Sequence, residues 1–127
     1  MAYETTVPLR YDDLDTAGHV NNARYATVLE EARIDYFRDV IGDELEQVES
    51  VVARLEIDFE RPLTLDADPT VSVEVTNIGE TSLTIASAIR ADGVCAASAE
   101  TVLVAYDFEK QSPRPVPEKW RRAIRRE

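Results

Sequence analysis

The stretch Tyr11-Asp12-Asp13-Leu14-Asp15-Thr16-Ala17-Gly18-His19-Val20-Asn21-Asn22-Ala23-Arg24-Tyr25 sets the plan of the chain. Acids, an imidazole, two amides and a glycine crowd into fifteen positions. A short alternating segment precedes it and the one long helical pattern follows it. Reactive groups concentrate in loops held between rigid elements, and this loop has the composition for such work.

From Asn22 to Ile41 the spacing predicts a helix. Tyr25, Leu29, Ala32, Tyr36 and Val40 recur at intervals of three and four, and Val28, Phe37 and Ile41 widen the stripe. Asn21 or Asn22 is suited to the N-cap, and Gly42 to the left-handed residue that ends the helix. Twenty residues make a rod of roughly 30 Å, so its apolar stripe needs a broad cover.

The strands to either side supply that cover. Residues 5–11 read as a strand with Val7, Leu9 and Tyr11 on one face, and Pro8 places it at an edge or leaves its proline side unpaired. Val51 to Glu60 alternates, with Val51, Ala53, Leu55, Ile57 and Phe59 facing inward, which predicts a half-buried strand. Thr70 to Thr76 places Val71, Val73 and Val75 inward, and Gly79-Glu80 makes a turn. Leu83, Ile85 and Ile89 mark the next strand, closed by the hairpin signal Asp92-Gly93. Val94 to Phe108 is apolar on both faces, so it is central or is buried by a second subunit. Pro113, Pro115 and Pro117 form a stiff connector to a terminal helix, Glu118 to Arg126, with Trp120 and Ile124 on one side. The order β-α-β-β-β-β, one helix against one antiparallel sheet, is an α+β fold in a single domain over residues 1–127.

Charge narrows the function. The 127 residues carry 25 acids against 14 bases, a net charge of −11, which argues against nucleic acid as a partner. Only Lys110 and Lys119 are lysines. An acidic, lysine-poor surface rich in Ala, Val and Thr suits a salty cytosol, where self-repulsion is screened. The excess is uneven: residues 113–127 hold six bases and two acids, a balance of +4, which leaves −15 on residues 1–112. That tail reads as a helix that answers the acidic body, or as a contact to the phosphates of a nucleotide-bearing substrate. One cysteine, Cys95, excludes an internal disulfide and fits a reducing compartment. A lone His and a lone Cys, far apart, do not suggest zinc, and neither a metal nor a cofactor is expected. Without a leader or an apolar span, the expectation is a soluble, cytoplasmic protein that does not enter a membrane.

Within the loop, Asp15 precedes a glycine and a helix start. Amide hydrogens in a helix's first turn lack helical partners and carry partial positive charge. A carbonyl placed there is polarised, and a carboxylate across from it can attack or can activate water. Asp12, Asp13 and Asp15 can equally form a turn-rich acidic loop that caps the helix. His19 reads as a hydrogen-bonding residue or as a dyad partner four positions from Asp15. Asn21 and Asn22 read as caps or water-orienting groups. Glu30, Glu31 and Arg33 read as a solvated or inter-subunit charge cluster.

The pattern Tyr11-x-Asp13-x-Asp15-x-x-Gly18-His19-Val20-Asn21-Asn22-x-x-Tyr25, followed by Glu30-Glu31-Ala32-Arg33, resembles the signature of the 4-hydroxybenzoyl-CoA thioesterase-like acyl-CoA thioesterases of the hotdog superfamily. The similarity continues through Phe59-x-x-Pro62, the Val71-Val73-Val75 strand, the Ile78-Gly79 turn and the proline-led last helix. The resemblance implies a hotdog fold, a long helix wrapped by a curved five-stranded antiparallel sheet with a short C-terminal helix. It implies an acyl-CoA substrate and a homodimer or homotetramer in which paired subunits build the sites. It makes Asp15 the nucleophile or general base and the Asn22 amide the group that polarises the thioester. His19 supports them, and Gly18, Val20, Asn21 and Tyr25 are the substrate-binding positions. A hotdog hydratase would need an Asn-Pro step that is missing here. A non-catalytic acyl- or acyl-carrier-binding protein is the remaining alternative.

Overall fold

The computed structural model describes residues 3–43, 49–66 and 68–127. Its elements run β1 (Tyr3–Thr6), α1 (Asn22–Tyr36), β2 (Ser50–Phe59), β3 (Thr70–Ile78), β4 (Ser82–Ala91), β5 (Val94–Asp107), β6 (Ser112–Pro113) and α2 (Glu118–Arg126). The strands form one antiparallel sheet in the order β1-β3-β4-β5-β2, with two-residue β6 added to β5. Register shifts in three of the pairings bend the sheet around α1, because an extra residue on one strand increases local twist. One helix wrapped by five curved strands, closed by a short terminal helix, is the architecture expected above.

Helix α1 follows its sequence pattern. Tyr25, Val28, Leu29, Ala32 and Tyr36 are buried, and a π-helical turn over Phe37–Ile41 continues the rod to Gly42. Gly42 adopts φ 89°, the left-handed conformation that a glycine tolerates best. Asn21 is the N-cap; its side chain accepts the Ala23 N–H. The stripe packs against Val71 and Val73 of β3, Leu83, Ile85 and Ile89 of β4, and Ala97 and Leu103 of β5 in one core.

Three expectations need correction. The first strand ends at Thr6 rather than running to Tyr11, because Pro8 has no N–H to continue the ladder with β3. The last pairing bond there is Val7 N–H to the Pro69 carbonyl, and Tyr11 lies in a 3-10 turn with 79% of its surface exposed. In β2 a bulge between Val52 and Arg54 reverses the alternation. Val52, opposite Leu103, therefore shares a face with Leu55, Ile57 and Phe59, and Val51 turns away. Third, the inward face is only partly covered within one chain: Val52, Leu55 and Phe59 are 46%, 39% and 49% exposed. β5 is interior to the sheet, between β4 and β2; Thr101, Leu103 and Ala105 on its helix side are buried, and Val102 and Val104 on the other side are partly buried.

The C-terminal helix closes the far end of α1. Trp120 is buried, sets its ring edge against Phe37 at 5.0 Å and lies under Arg114. Its indole N–H donates to Asp43 Oδ2 at 2.8 Å, and Lys119 pairs with the other oxygen of that carboxylate.

Candidate active site

The opening loop is a small hairpin. Leu14 and Val20 form an antiparallel bridge, Asp13 C=O accepts the Asn21 N–H at 2.8 Å, and Asp15 N–H donates to the His19 carbonyl at 2.7 Å. Gly18 closes its tip: at φ 81° its N–H donates to the Asp15 carbonyl. Any other residue would be strained there by its Cβ. A second bridge, His19 to Thr64, and a bond from Val20 N–H to Leu63 C=O fasten the hairpin to the segment after β2.

The neighbouring acids have different tasks. Asp13 is a clamp: its carboxylate accepts the Arg10 N–H at 2.8 Å and faces Arg24 at 3.7 Å. Asp15 accepts the Ala17 and His19 amides, at 2.9 and 3.2 Å, both on Oδ1. Its Oδ2 has no partner among the described residues. Two backbone donors on one oxygen fix the carboxylate plane while the other oxygen stays uncommitted.

The helix start shows the same economy. The Asn21 side chain takes the Ala23 N–H at 2.9 Å, and its carbonyl takes the Arg24 N–H at 2.8 Å. The Asn22 N–H, at the first helical position, carries no partner among the described residues. It thus presents an unsatisfied donor at the positive end of the α1 dipole. Asp15, Gly18, His19, Asn21 and Asn22 are all exposed, on one hairpin and the helix start that follows it.

Val20 and Tyr25 are not at that open surface. Both are buried. The Tyr25 hydroxyl donates to the Arg61 carbonyl at 3.3 Å and its ring meets Phe59 edge-on at 5.0 Å. Burial raises the Tyr25 pKa, with a backbone bond from Leu63 opposing the shift, so the phenol stays neutral at physiological pH. His19 contributes through its backbone, as donor to Asp15 Oδ1 and acceptor from the Asp15 amide. Its ring makes no hydrogen bond among the described residues.

A cleft lies further along α1. It holds about 290 Å³, between Glu30, Arg33, Ile34 and Phe37 on the helix side and Val52 and Leu103 on the sheet. Glu30 is eight residues beyond Asn22, about 12 Å along the axis. Loop and cleft are therefore separate within one chain, and the reactive groups are open to solvent. Arg33, expected in a charge cluster, has only 14% of its side chain exposed. Desolvation lowers its pKa, and Glu30, at 3.8 Å, pulls the other way. The sequence carries a signal for this burial: Arg33 falls four residues after Leu29 and four before Phe37, on the buried stripe. Among the described residues, no group of three or more His, Cys, Asp or Glu could hold a metal ion.

The chain is similar to known proteins over nearly its whole length. Residues 9–124 match the thioesterase-like superfamily. A thioesterase from Thermus thermophilus, solved with coenzyme A and zinc, superposes with a TM-score of 0.87 at 39% identity. That match spans 97% of this chain and 91% of the other. A predicted thioesterase from Bacillus stearothermophilus superposes at 0.89 with 29% identity, over 99% and 96% of the two chains. The acyl-CoA thioester hydrolase YbgC of Escherichia coli is 29% identical over 116 residues, 87% of each chain.

Proposed function

The chain belongs to the thioesterase-like superfamily, and from this membership we propose that it hydrolyses an acyl-CoA to a free carboxylic acid and coenzyme A at the Asp15 loop. The observation that carries the reading is the half-committed carboxylate: Asp15 Oδ1 is tied down by two amides while Oδ2 is free among the described residues. The thioester carbonyl oxygen accepts the Asn22 N–H, which stabilises the negative charge that develops on it. Asp15 Oδ2 adds to the carbonyl carbon, or takes a proton from a water that adds there. The C–S bond then breaks and the sulfur leaves as a thiolate, which on the anhydride route takes its proton from solvent water. By the first route, water cleaves the resulting anhydride and regenerates the carboxylate. By the second, Asp15 hands its proton to the sulfur.

The other loop residues support these two groups. His19 and Gly18 hold the hairpin that aims Asp15, and Asn21 caps the helix that presents Asn22. Val20 and Tyr25 anchor the loop from below.

A homodimer completes the reading. β2 is an edge strand whose helix-facing residues Val52, Leu55 and Phe59 are partly exposed, and pairing with a second copy covers them further. The coenzyme A bound by the Thermus thermophilus neighbour supports a CoA-bearing substrate.

The test is a panel of acyl-CoAs of varied chain length, aliphatic and aromatic, incubated with the purified protein and a thiol reagent. Thiol release that scales with enzyme supports the assignment. Saturable binding of an acyl-CoA without thiol release would establish instead an acyl-binding protein that keeps the fold.

A further inference from the structure

We propose that Asp13 is a positioning residue: its ion pair with Arg24 sets the start of α1 against the loop hairpin and so fixes the Asn22 amide relative to Asp15. This rests on the hydrolysis reading above and assigns to that site a residue beyond the two reacting groups.

The first turn of α1 departs from the usual pattern. Helix starts favour acids, because unpaired amides and the dipole make that end positive. This one carries no acid, and its third position holds a cation, Arg24. A Glu or Gln at that position normally reaches back to the N-cap N–H. A guanidinium only donates, so Arg24 cannot serve that amide. The Asn21 N–H goes instead to the Asp13 carbonyl at 2.8 Å, and the Asp13 carboxylate faces Arg24 at 3.7 Å. One loop residue takes over both tasks of the missing acid.

An acid within the helix would stabilise that end without reference to the hairpin. Asp13 belongs to the opposite arm of the hairpin from Asn21, across the Leu14–Val20 bridge. Its Oδ2 accepts the Arg10 N–H, which closes the turn leading into the loop, while Oδ1 is turned to Arg24. Only 15% of the side chain is exposed. Asp15 follows two residues after Asp13, and Asn22 directly follows the residue whose amide Asp13 holds. Both reacting groups are thereby located from one side chain and one carbonyl. Two turns further along α1, Arg10 approaches Glu31 at 4.0 Å, a second exchange of base and acid between the entry segment and the helix. That pair is exposed and contributes little.

Stability and rate are expected to respond differently to loss of the Asp13–Arg24 contact. A half-exposed ion pair adds little to folding. Reaction rate depends on alignment, where a misplacement of ~1 Å costs on the order of 10²-fold.

Steady-state kinetics of four variants, on the acyl-CoA that the wild type turns over fastest, test the assignment. Arg24→Gln suits the helix start as well as arginine does and lacks its charge. It is expected to lower kcat about tenfold or more while KM stays within about twofold, with the thermal midpoint within a few degrees of wild type. Arg24→Lys keeps the charge and is expected to keep most of the rate. Asp13→Asn keeps an acceptor for the Arg10 N–H and is expected to match the loss in Arg24→Gln. The double variant Asp13→Asn/Arg24→Gln is expected to be no slower than either single one, because both act through one contact. An unchanged kcat in the two single variants, losses that multiply in the double variant, or an equal loss in Arg24→Lys overturns the positioning role and leaves hydrolysis at Asp15 standing. A rise in KM without a fall in kcat also overturns it, by placing Arg24 in substrate binding. A wild-type protein that releases no thiol from any acyl-CoA overturns both.

Discussion

Asp15 and Asn22 contribute different kinds of group, and that difference can be used. In the proposed mechanism Asp15 acts through a side-chain oxygen that its neighbours leave free, whereas Asn22 acts through its backbone N–H. Proline is tolerated at a first helical position, where the missing N–H breaks no helical bond. Asn21, at φ −61° and ψ 137°, already has the extended conformation that a following proline requires. Asn22→Pro is therefore expected to keep the helix and lose about 10²–10³-fold in kcat, the cost of one oxyanion donor. Steady-state kinetics alongside far-ultraviolet circular dichroism check this; an unchanged kcat would show that the donor lies elsewhere. The turn at Gly18 and the Asn21 cap are legible in the sequence, because each depends on short-range chemistry. The clamp Asp13 is not separable from Asp15 there, because which acid meets Arg10 and Arg24 depends on how the hairpin closes.

At the scale of elements, periodicity locates α1 together with its π-helical last turn, β3, β4, β5 and α2 within a residue or two, since each has an apolar side against a single core. It fails at the two edges. Pro8 stops β1 early, and one bulge reverses the phase of β2; neither is visible in an alternation that scores residues one by one. The C-terminal helix hides a further dependence. Asp43 sits just past the end of α1, buried, and receives both the Trp120 indole and Lys119. Asp43→Ala leaves the indole donor buried and unpaired. The expected cost is about 1.5–3 kcal/mol, the range for a lost hydrogen bond to a charged group. Urea denaturation should show the loss as a lower midpoint with an unchanged slope, and Asp43→Asn should recover part of it by keeping an acceptor.

For the whole molecule, charge governs behaviour. A net charge of −11 on 127 residues, with six of the bases gathered after Pro113, leaves the body of the chain strongly self-repelling in dilute buffer. Raising KCl toward molar concentrations shortens the Debye length to about 3 Å and relieves that repulsion. The thermal midpoint is expected to rise with KCl; a flat response would remove the case for adaptation to a salty cytosol. No described helix is long and apolar enough to cross a membrane. The separation of loop from cleft within one chain is not legible in the sequence, because periodicity reports which face of an element is buried and not where a cleft opens along it. The central claim concerns one atom, Asp15 Oδ2. The most direct measurement is the rate of acyl-CoA hydrolysis by Asp15→Asn, a substitution that keeps the shape of the side chain and its acceptor for Ala17 and His19 while removing the charge. A fall in kcat of about 10³-fold or more, with the thermal midpoint within a few degrees of wild type, is the predicted result. Turnover within tenfold of wild type would contradict the account.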